Sequence, residues 1–203
     1  MHMKPFLSRI CGLLCLLWLG VPLASAQTIT TVAGTGTAGF NSDGITAISA
    51  DLNTPYDVAV DAQGNIFIAD YNNSRIRKVD AATGNITTIA GTGINGFSGD
   101  GGPAINARLS KPAGVFLDSA GNLFIADAGG NRIRKIDASS GDITTIAGTG
   151  TGAFSGDGAA ANLAEINTPN AAVKDAAGNV YIADYANDRI RKVDAATGDI
   201  STI

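Results

Sequence analysis

Residues 60–70 read VDAQGNIFIAD, and the pattern returns as LDSAGNLFIAD at 117–127 and as KDAAGNVYIAD at 174–184. Each copy is followed by a second motif, RIRK with Val or Ile and then Asp, which starts at Arg75 in the first copy. The copies are 57 residues apart at every one of these positions, without an insertion. A fixed period of this length is the signature of a repeat architecture.

One repeat divides into four short strands separated by polar turns. The strands are predicted at Tyr56–Val60, Ile66–Ala69, Arg75–Val79 and Ile86–Ala90, because each is a short run rich in apolar or β-branched residues. Straight-chain helix formers are scarce, and no apolar stripe with a 3.6-residue period lasts for three turns. Four antiparallel strands per repeat form one blade of a β-propeller, so we predict an all-β propeller. The three predicted four-stranded antiparallel blades are about 34–90, 91–147 and 148–203.

The first 26 residues are predicted to be a secretory signal peptide. Lys4 and Arg9 precede an apolar run from Ile10 to Val21, and the small residues Ala24-Ser25-Ala26 follow. The remaining 177 residues, 27–203, contain the repeats. We therefore expect a secreted protein, located outside the cell or in the periplasm, with no membrane span after the signal peptide is removed.

The composition of residues 27–203 limits the chemistry. This part of the chain has no Cys, His, Met or Trp, so it offers no disulfide, cysteine nucleophile, histidine base or zinc site with His or Cys ligands. Without Lys4 and Arg9, 12 basic residues stand against 18 acidic residues, a net charge of −6. That balance argues against a nucleic-acid partner. We expect neither catalysis nor a cofactor.

The two motifs resemble the NHL repeat. The added segments TIAGTG (88–93) and GFSGDG (96–101) look like those of bacterial secreted NHL proteins and of teneurin-type propellers. The resemblance covers essentially all of residues 27–203 and implies a propeller that binds proteins or other ligands. A minority of related propellers are lyases that depend on histidine, or lactone hydrolases with a metal held by Glu, Asn and Asp. Residues 27–203 contain no histidine and one glutamate, Glu165. A propeller lyase or metal-dependent lactone hydrolase, and a structural repeat segment of a larger surface protein, are the alternatives to a binding or scaffold module.

The candidate binding surface is the face that carries the turns after the second strand of each blade. Because strand direction alternates, these turns share one face with the links of about 20 residues that follow the fourth strands. The turns also differ between repeats: YNNS at 71–74, AGGN at 128–131 and YAND at 185–188. We predict that this face binds a protein or a small extracellular ligand. The predicted contact residues are Tyr71, Asn72, Asn73, Asn131, Tyr185, Asn187 and Asp188.

Several repeated side chains are predicted to be structural. Phe40 and its equivalents recur in every long link, and we favour a packing role over ligand contact. An Asp at the end of the second strand is expected to pair with the Arg that begins the third strand. The alternative is a ring of carboxylates that binds a cation at the propeller axis. The RIRK clusters are interpreted as solvated strand edges. The predicted pairs are Asp70–Arg75, Asp127–Arg132 and Asp184–Arg189.

Two further features have competing interpretations. The Asp-Gly turns in the long links, such as Asp43-Gly44, give a weak indication of calcium, but each offers one carboxylate and calcium prefers six to eight oxygen ligands. We favour ordinary turn chemistry and expect no metal. Lys174 stands where the other repeats have Val60 and Leu117. It is a functional group in a central channel, a lysine that extends from a strand end into solvent, or the mark of a degraded copy of the repeat.

Three repeats are fewer than a closed propeller has, since propellers close with about four to eight blades. We therefore expect an incomplete propeller, encoded by part of a longer reading frame. A six-bladed ring closed by two copies of the chain is the alternative. The partners for ring closure are accordingly further blades of the same chain or a second copy.

Overall fold

The computed structural model describes residues 28–203, so the predicted signal peptide lies outside the described residues. Thr31–Ile203 form one compact unit. Within the described residues all strands pair antiparallel, and the helical segments are 3₁₀ turns of three residues each. The prediction of an all-β fold is confirmed.

Each repeat forms one sheet, and each sheet has one strand more than predicted. Blade 1 comprises β1 (Ile45–Thr46), β2 (Pro55–Val60), β3 (Ile66–Asp70), β4 (Arg75–Val79) and β5 (Asn85–Ala90). Blade 2 comprises β6 (Gly102–Pro103), β7 (Pro112–Leu117), β8 (Leu123–Asp127), β9 (Arg132–Ile136) and β10 (Asp142–Ala147). Blade 3 comprises β11 (Ala159–Ala160), β12 (Ala171–Lys174), β13 (Val180–Asp184), β14 (Arg189–Val193) and β15 (Asp199–Thr202).

The strand order in blade 1 is β1-β5-β4-β3-β2, and the other two blades repeat it. The four predicted strands of a repeat are therefore the last four along the chain. The fifth strand is a two-residue segment of the long link that pairs with the outer strand, as Ile45 does with Ile86. Two residues are too short to give an alternating pattern, which is why the sequence did not predict this strand.

The inner strands of the blades converge on one side of the molecule. β7 contacts both β2 and β12. The backbone N–H of Val115 in β7 donates to Asp57 Oδ2 of β2 at 2.9 Å. On the other side of β7, a Cβ at Gly114 would overlap the carbonyl oxygen of Asn170. This close approach of backbones places the propeller axis beside β2, β7 and β12.

The apolar cores lie between the blades. At the junction of blades 1 and 2, Ala69 and Ile76 of blade 1 pack with Leu109 of the long link and with Val115 and Ile125 of blade 2. The junction of blades 2 and 3 repeats this arrangement with the equivalent residues. A fully buried Ile contributes about 1.5–3 kcal/mol. Adjacent blades therefore stabilise each other through contacts that one blade alone lacks.

Candidate binding face

The turn after the second strand has the same backbone in all three blades. In blade 1 it is a 3₁₀ turn, Tyr71–Asn73, which ends at Ser74 in the left-handed region with φ of 52°. The equivalent positions, Asn131 and Asp188, have φ of 49° and 53°. Because the strands are antiparallel, these turns lie at the same edge of the sheets as the two ends of each long link, whereas the middle of the link reaches the opposite edge, where Thr46 pairs with Asn85. We call the surface formed by these turns and link ends the loop face.

A phenylalanine fixes each long link to the blade beside it. The Phe40 ring centroid lies 3.9 Å from Arg75 Cζ and 4.8 Å from Arg77 Cζ. Phe97 and Phe154 make the same two contacts in the other blades, at 3.6 and 4.8 Å and at 3.9 and 4.8 Å. A guanidinium at this distance from an aromatic ring contributes about 0.5–1 kcal/mol where solvent reaches it. The contacts support the packing role for these rings.

The buried ion pair of each blade involves the second arginine of the RIRK motif. Arg77 has no solvent exposure, and its Nη1 lies 3.5 Å from Asp70 Oδ2, which is equally buried. Its Nη2 donates to Asp43 Oδ1 at 3.1 Å and to the carbonyl of Ser42 at 3.0 Å. Arg134 and Arg191 occupy the same place in the other blades. The interpretation of the RIRK clusters as solvated edges is therefore wrong for this arginine.

The predicted pairing of Asp70 with Arg75 is corrected accordingly. The two residues are direct partners in the β3–β4 ladder. However, Arg75 donates to the carbonyls of Asn73 and Thr92, both at 3.1 Å, and so holds the long link. Ladder register positions the backbone, whereas the nearest acceptors decide where a long side chain goes. Asp127 with Arg132 and Asp184 with Arg189 are likewise ladder partners whose arginines bond to carbonyls.

Two of the predicted contact residues bond inward. Asn73 Nδ2 donates to Asp70 Oδ2 at 2.8 Å and to the carbonyl of Gly39 at 2.6 Å. Asn187 Nδ2 makes the equivalent bonds to Asp184 Oδ2 and Ala153 O, at 2.8 and 2.9 Å. Each asparagine therefore connects the buried carboxylate to the long link.

Blade 2 lacks this asparagine because Gly130 stands in its place. Asp127 Oδ1 accepts from the N–H of Ser110 at 2.6 Å, but Oδ2 is buried without a hydrogen-bond partner. The nearest guanidinium nitrogen, Arg134 Nη1, is 4.0 Å away. Burial raises the pKa of Asp127 to about 7, against the lowering by Ser110 and Arg134. Burial also raises the pKa of Asp70, where the asparagine is present.

Two other predicted contact residues hold the turns to the long links. Asn72 Nδ2 donates to Thr54 Oγ1 at 2.8 Å. Asn131 Nδ2 donates to the carbonyl of Gly150 at 3.2 Å, and its Oδ1 accepts from the N–H of Thr168 at 2.8 Å. Asp188 is exposed. These bonds tie the turns of blades 1 and 2 to the neighbouring long links.

An aromatic pair stands at the inner end of blade 1 on the loop face. The rings of Tyr71 and Tyr56 stack with centroids 5.3 Å apart and planes inclined by 26°. Lys111 Nζ of blade 2 lies 6.0 Å from the Tyr71 ring. Tyr56 is 56% exposed, and Tyr185 on blade 3 is 64% exposed. We call Tyr56, Tyr71 and Lys111 the aromatic–lysine cluster.

Sequence reasoning selected Tyr71 and Tyr185 but missed Tyr56 and Lys111. Both missed residues depart from the repeat. Tyr56 stands where the other blades have Ala113 and Asn170, and Lys111 stands where they have threonine. A comparison between the repeats of the two positions that flank the repeated proline, Pro55 in blade 1 and Pro112 in blade 2, would therefore have indicated both residues.

Lys174, the other departure from the repeat, bridges blades 2 and 3. Its Nζ donates to Asp118 Oδ2 at 2.9 Å and lies 5.6 Å from the Phe124 ring centroid. Burial acts to raise the pKa of Asp118, but hydrogen bonds from Asn122 and Lys174 outweigh it and lower that pKa to about 2. The Lys174 ammonium therefore forms an ion pair that connects blade 3 to blade 2.

The carboxylate of each Asp-Gly turn accepts a hydrogen bond from a buried arginine, as described for Asp43. Within residues 28–203, no group of three or more His, Cys, Asp or Glu side chains is placed to hold a metal ion.

The part of the chain that the structure describes also contains no helix long and apolar enough to cross a membrane.

Known proteins share both the repeat and the fold. The family model of the NHL repeat matches residues 52–79, which include β2, β3 and β4. NHL repeat-containing protein 2 of Bos taurus is 31% identical over 143 residues, which cover 67% of this chain and 20% of that protein. Teneurin-1 of Mus musculus is 31% identical over 102 residues, which cover 44% of this chain and 4% of that protein.

A solved structure of a protein of unknown function from Bacteroides thetaiotaomicron superposes with a TM-score of 0.61 at 24% identity. The match covers 76% of this chain and 37% of that one, and it bears on the fold alone. The chain thus spans a fifth or less of the length of the two curated relatives. The repeated motifs, the blade topology and these relatives together identify the chain as an NHL-repeat protein.

Proposed function

We propose that this chain is an exported, non-catalytic binding module that recognises an extracellular protein or small ligand through its loop face. The observation that carries the proposal is the aromatic–lysine cluster. It places two stacked tyrosine rings and an ammonium group on the surface at one blade junction. Buried packing requires no such group, because the other blades have Ala113 and Asn170 in place of Tyr56.

The chemistry of the cluster suits a ligand with a flat apolar part and an acidic group. Tyrosine rings supply a large contact area with few rotatable bonds, and their hydroxyl groups add hydrogen bonds. Lys111 is exposed and adds a positive charge at the edge of the Tyr71 ring. An aromatic or sugar group against the rings, with a carboxylate near Lys111, would use all three side chains.

The frame behind the cluster supports binding by a preformed surface. Asn72 ties the turn that carries Tyr71 to Thr54, next to β2. Asn73 ties the same turn to the buried Asp70 and to the long link. A surface that is already ordered loses little conformational entropy when a ligand binds. Rigid display of different side chains on similar blades is the proposed mechanism.

Export and the absence of catalysis are parts of the same proposal. The signal peptide predicted at residues 1–26 supports export. The lack of His and Cys in residues 27–203 supports a non-catalytic role. A lyase or a metal-dependent lactone hydrolase would instead show turnover, and a chelator would abolish the hydrolase activity. A purely structural segment would show neither turnover nor a ligand.

The test is capture from the extracellular and periplasmic fractions of the producing cells by immobilised protein. We expect a specific ligand to be retained by the wild type and lost with the double variant Tyr56→Ala/Tyr71→Ala. The matched control is Gln63→Ala, which changes an exposed residue in the β2–β3 turn at the opposite edge of the same blade. Thermal melting of all three proteins checks that they are folded.

Equal retention by the wild type and the double variant would refute the location of the site. Loss of retention with Gln63→Ala alone would place the site on the opposite face. The variant Tyr185→Ala tests whether the ligand extends to blade 3, since Tyr185 is the other exposed tyrosine of the loop face.

A further inference from the structure

A cavity of about 340 Å³ lies between two successive long links, on the part of blade 2 away from the propeller axis. This volume is within the range of small-molecule sites, about 300–1,000 Å³. The link before blade 2, the link after it and the strands β9 and β10 all contribute to its wall. The side chains that line it include Phe97, Asp100, Arg132, Thr145 and Asn162. We call this site the link cavity.

Two polar groups of the link cavity differ from their equivalents one repeat earlier. Asn162 stands where the preceding link has Ile105. Thr145 Oγ1 is buried without a hydrogen-bond partner, whereas the equivalent Thr88 Oγ1 donates to Asp43 Oδ1 at 3.1 Å. An amide and an unpaired hydroxyl are therefore present at the junction of blades 2 and 3, where the previous junction has an apolar side chain and a paired hydroxyl.

The charges around the link cavity favour an uncharged ligand. Asp100 Oδ1 lies 2.7 Å from Arg134 Nη2, and the Asp100 side chain stays 37% exposed. Arg132 is held in place because Nη1 donates to the carbonyl of Gly130 at 2.8 Å and Nη2 donates to the carbonyl of Thr149. A ligand anion would lie beside a carboxylate, and a ligand cation would lie beside two guanidinium groups. Like charges therefore oppose either kind of ion.

The polar groups of the link cavity suit a ligand with several hydroxyl groups. A carboxylate only accepts hydrogen bonds and a guanidinium only donates them, whereas an amide and a hydroxyl do both. A ligand hydroxyl both donates and accepts, so it can pair with each of these groups without adding a charge. The Phe97 ring is 41% exposed and supplies an apolar surface for the C–H groups of a sugar ring.

We propose that the link cavity binds a neutral saccharide unit. The sugar ring packs against the exposed part of Phe97, and its hydroxyl groups form hydrogen bonds with Asp100, Asn162 and Thr145. The site is separate from the aromatic–lysine cluster, which lies at the junction of blades 1 and 2. It therefore adds a second binding site, and it does not depend on the function proposed for the first.

The experiment is saturation-transfer difference NMR with the whole chain and single sugars at up to about 50 mM, so that weak binding is detected. The neutral probes are the methyl glycosides of glucose, mannose, galactose and N-acetylglucosamine. Glucuronate and glucosamine are the charged counterparts of glucose. We expect at least one neutral glycoside to bind, and we expect both charged sugars to bind more weakly than that glycoside.

The variant Thr145→Val tests the unpaired hydroxyl. It should weaken binding of the glycoside about 3- to 10-fold, the loss of one hydrogen bond. It should not lower the stability in urea unfolding, because the hydroxyl has no partner in the protein. The matched control is Thr88→Val, the same change one repeat earlier. This control should leave binding of the glycoside unchanged.

The variant Asn162→Ile tests the amide. It introduces the residue that the preceding link has, and it should weaken binding about tenfold or more, because it removes a polar partner of the sugar. The matched control is Leu163→Asn, which changes the neighbouring side chain, exposed at 70%. Binding should be unchanged in this control.

Four results would each overturn the proposal. They are the absence of binding by every neutral glycoside, stronger binding of a charged sugar, wild-type affinity in Asn162→Ile or Thr145→Val, and loss of binding in Tyr56→Ala/Tyr71→Ala. The last result would assign the sugar to the aromatic–lysine cluster. Glycoside binding that persists in this double variant supports a separate site, whatever the double variant does to capture of the ligand proposed for the loop face.

Discussion

The substitution Gly130→Asn tests the account of the buried carboxylates. It introduces into blade 2 the asparagine that blades 1 and 3 have at this position. There, Asn73 and Asn187 each donate to the carboxylate at 2.8 Å, whereas Asp127 Oδ2 has no hydrogen-bond partner. A Cβ at Gly130 would lie 2.6 Å from Asp127 Oδ2, so the carboxylate must shift away from Gly130 when the side chain is added. The other two blades accommodate this arrangement.

The expected gain is largest when Asp127 is ionised. A hydrogen bond to a charged group contributes about 1.5–3 kcal/mol, and replacing a glycine at a compatible backbone position adds about 0.4–1 kcal/mol. We subtract about 1 kcal/mol for the shift of the carboxylate, in line with the cost of a displaced rotamer. At pH values above the pKa of Asp127, which burial raises to about 7, the expected net stabilisation is about 1–3 kcal/mol.

The pH dependence has a definite sign. Since the pKa of Asp127 is raised in the folded state from 3.8 to about 7, the folded state binds the proton more tightly than the unfolded state. The stability from this group is fully present below about pH 4 and is lost as the pH rises through 7. At about 1.4 kcal/mol for each pKa unit, a shift of about three units sets an upper limit of about 4 kcal/mol. Gly130→Asn should make this loss smaller, because the new donor stabilises the ionised carboxylate.

The assay is urea unfolding at pH 4.5 and pH 8 of the wild type, Gly130→Asn and Gly130→Ala. The alanine variant adds the same Cβ without a donor, so it should be no more stable than the wild type. We expect the asparagine variant to exceed the alanine variant at pH 8, and by less at pH 4.5. Equal stability of the two variants at pH 8 would refute the reasoning.

Three further predictions concern other polar groups. Arg77→Met should destabilise the protein by about 3–5 kcal/mol in urea unfolding, because it leaves the buried Asp70 without its cation; a loss below 1 kcal/mol would contradict this. Lys174→Met should reduce the acid dependence of stability: the pKa of Asp118 is lowered to about 2, so its contribution is present above about pH 4 and lost as the pH falls towards 2. Unfolding curves of the wild type and of Lys174→Met at pH 2.5 and pH 5 check this. An equal difference in stability between the two pH values in both proteins would contradict it. Millimolar calcium should leave thermal melting unchanged, because Asp43 already accepts from Arg77; a higher melting temperature with calcium would refute this expectation.

The period of the sequence predicted most of the fold. The third predicted strand, Arg75–Val79, has the observed bounds, and the other three differ by one residue at one end. Strand bounds follow from local apolar runs and turn residues, which repeat in each blade. The extra strand Ile45–Thr46 could not be predicted because its pairing with β5 depends on the path of a long link.

The side-chain partners were harder to predict than the strands. Arg75 and Arg77 lie two residues apart on one strand, so both point to the same face of the sheet. Nothing in the sequence decides which one enters the core. The structure shows that Phe40 and the carbonyls of Asn73 and Thr92 hold Arg75, which leaves Asp70 to Arg77.

Variation between repeats indicated the loop face but did not separate binding from structural residues. Asn73 and Asn187 differ from Gly130 at one aligned position, and they bond to a buried carboxylate. Tyr56 also varies between repeats, but it faces solvent. Sequence variation is therefore informative only when combined with the direction in which the side chain points.

The most direct test of the proposed binding face is amide hydrogen exchange of the protein with and without its captured ligand. Exchange is compared between the turns of the loop face and the turns at the opposite edge of the same sheets. We predict slower exchange in 71–74 and around Lys111 when the ligand is bound, and no change in 61–65, 118–122 and 175–179. Protection confined to the second set of turns would contradict a binding site at the aromatic–lysine cluster.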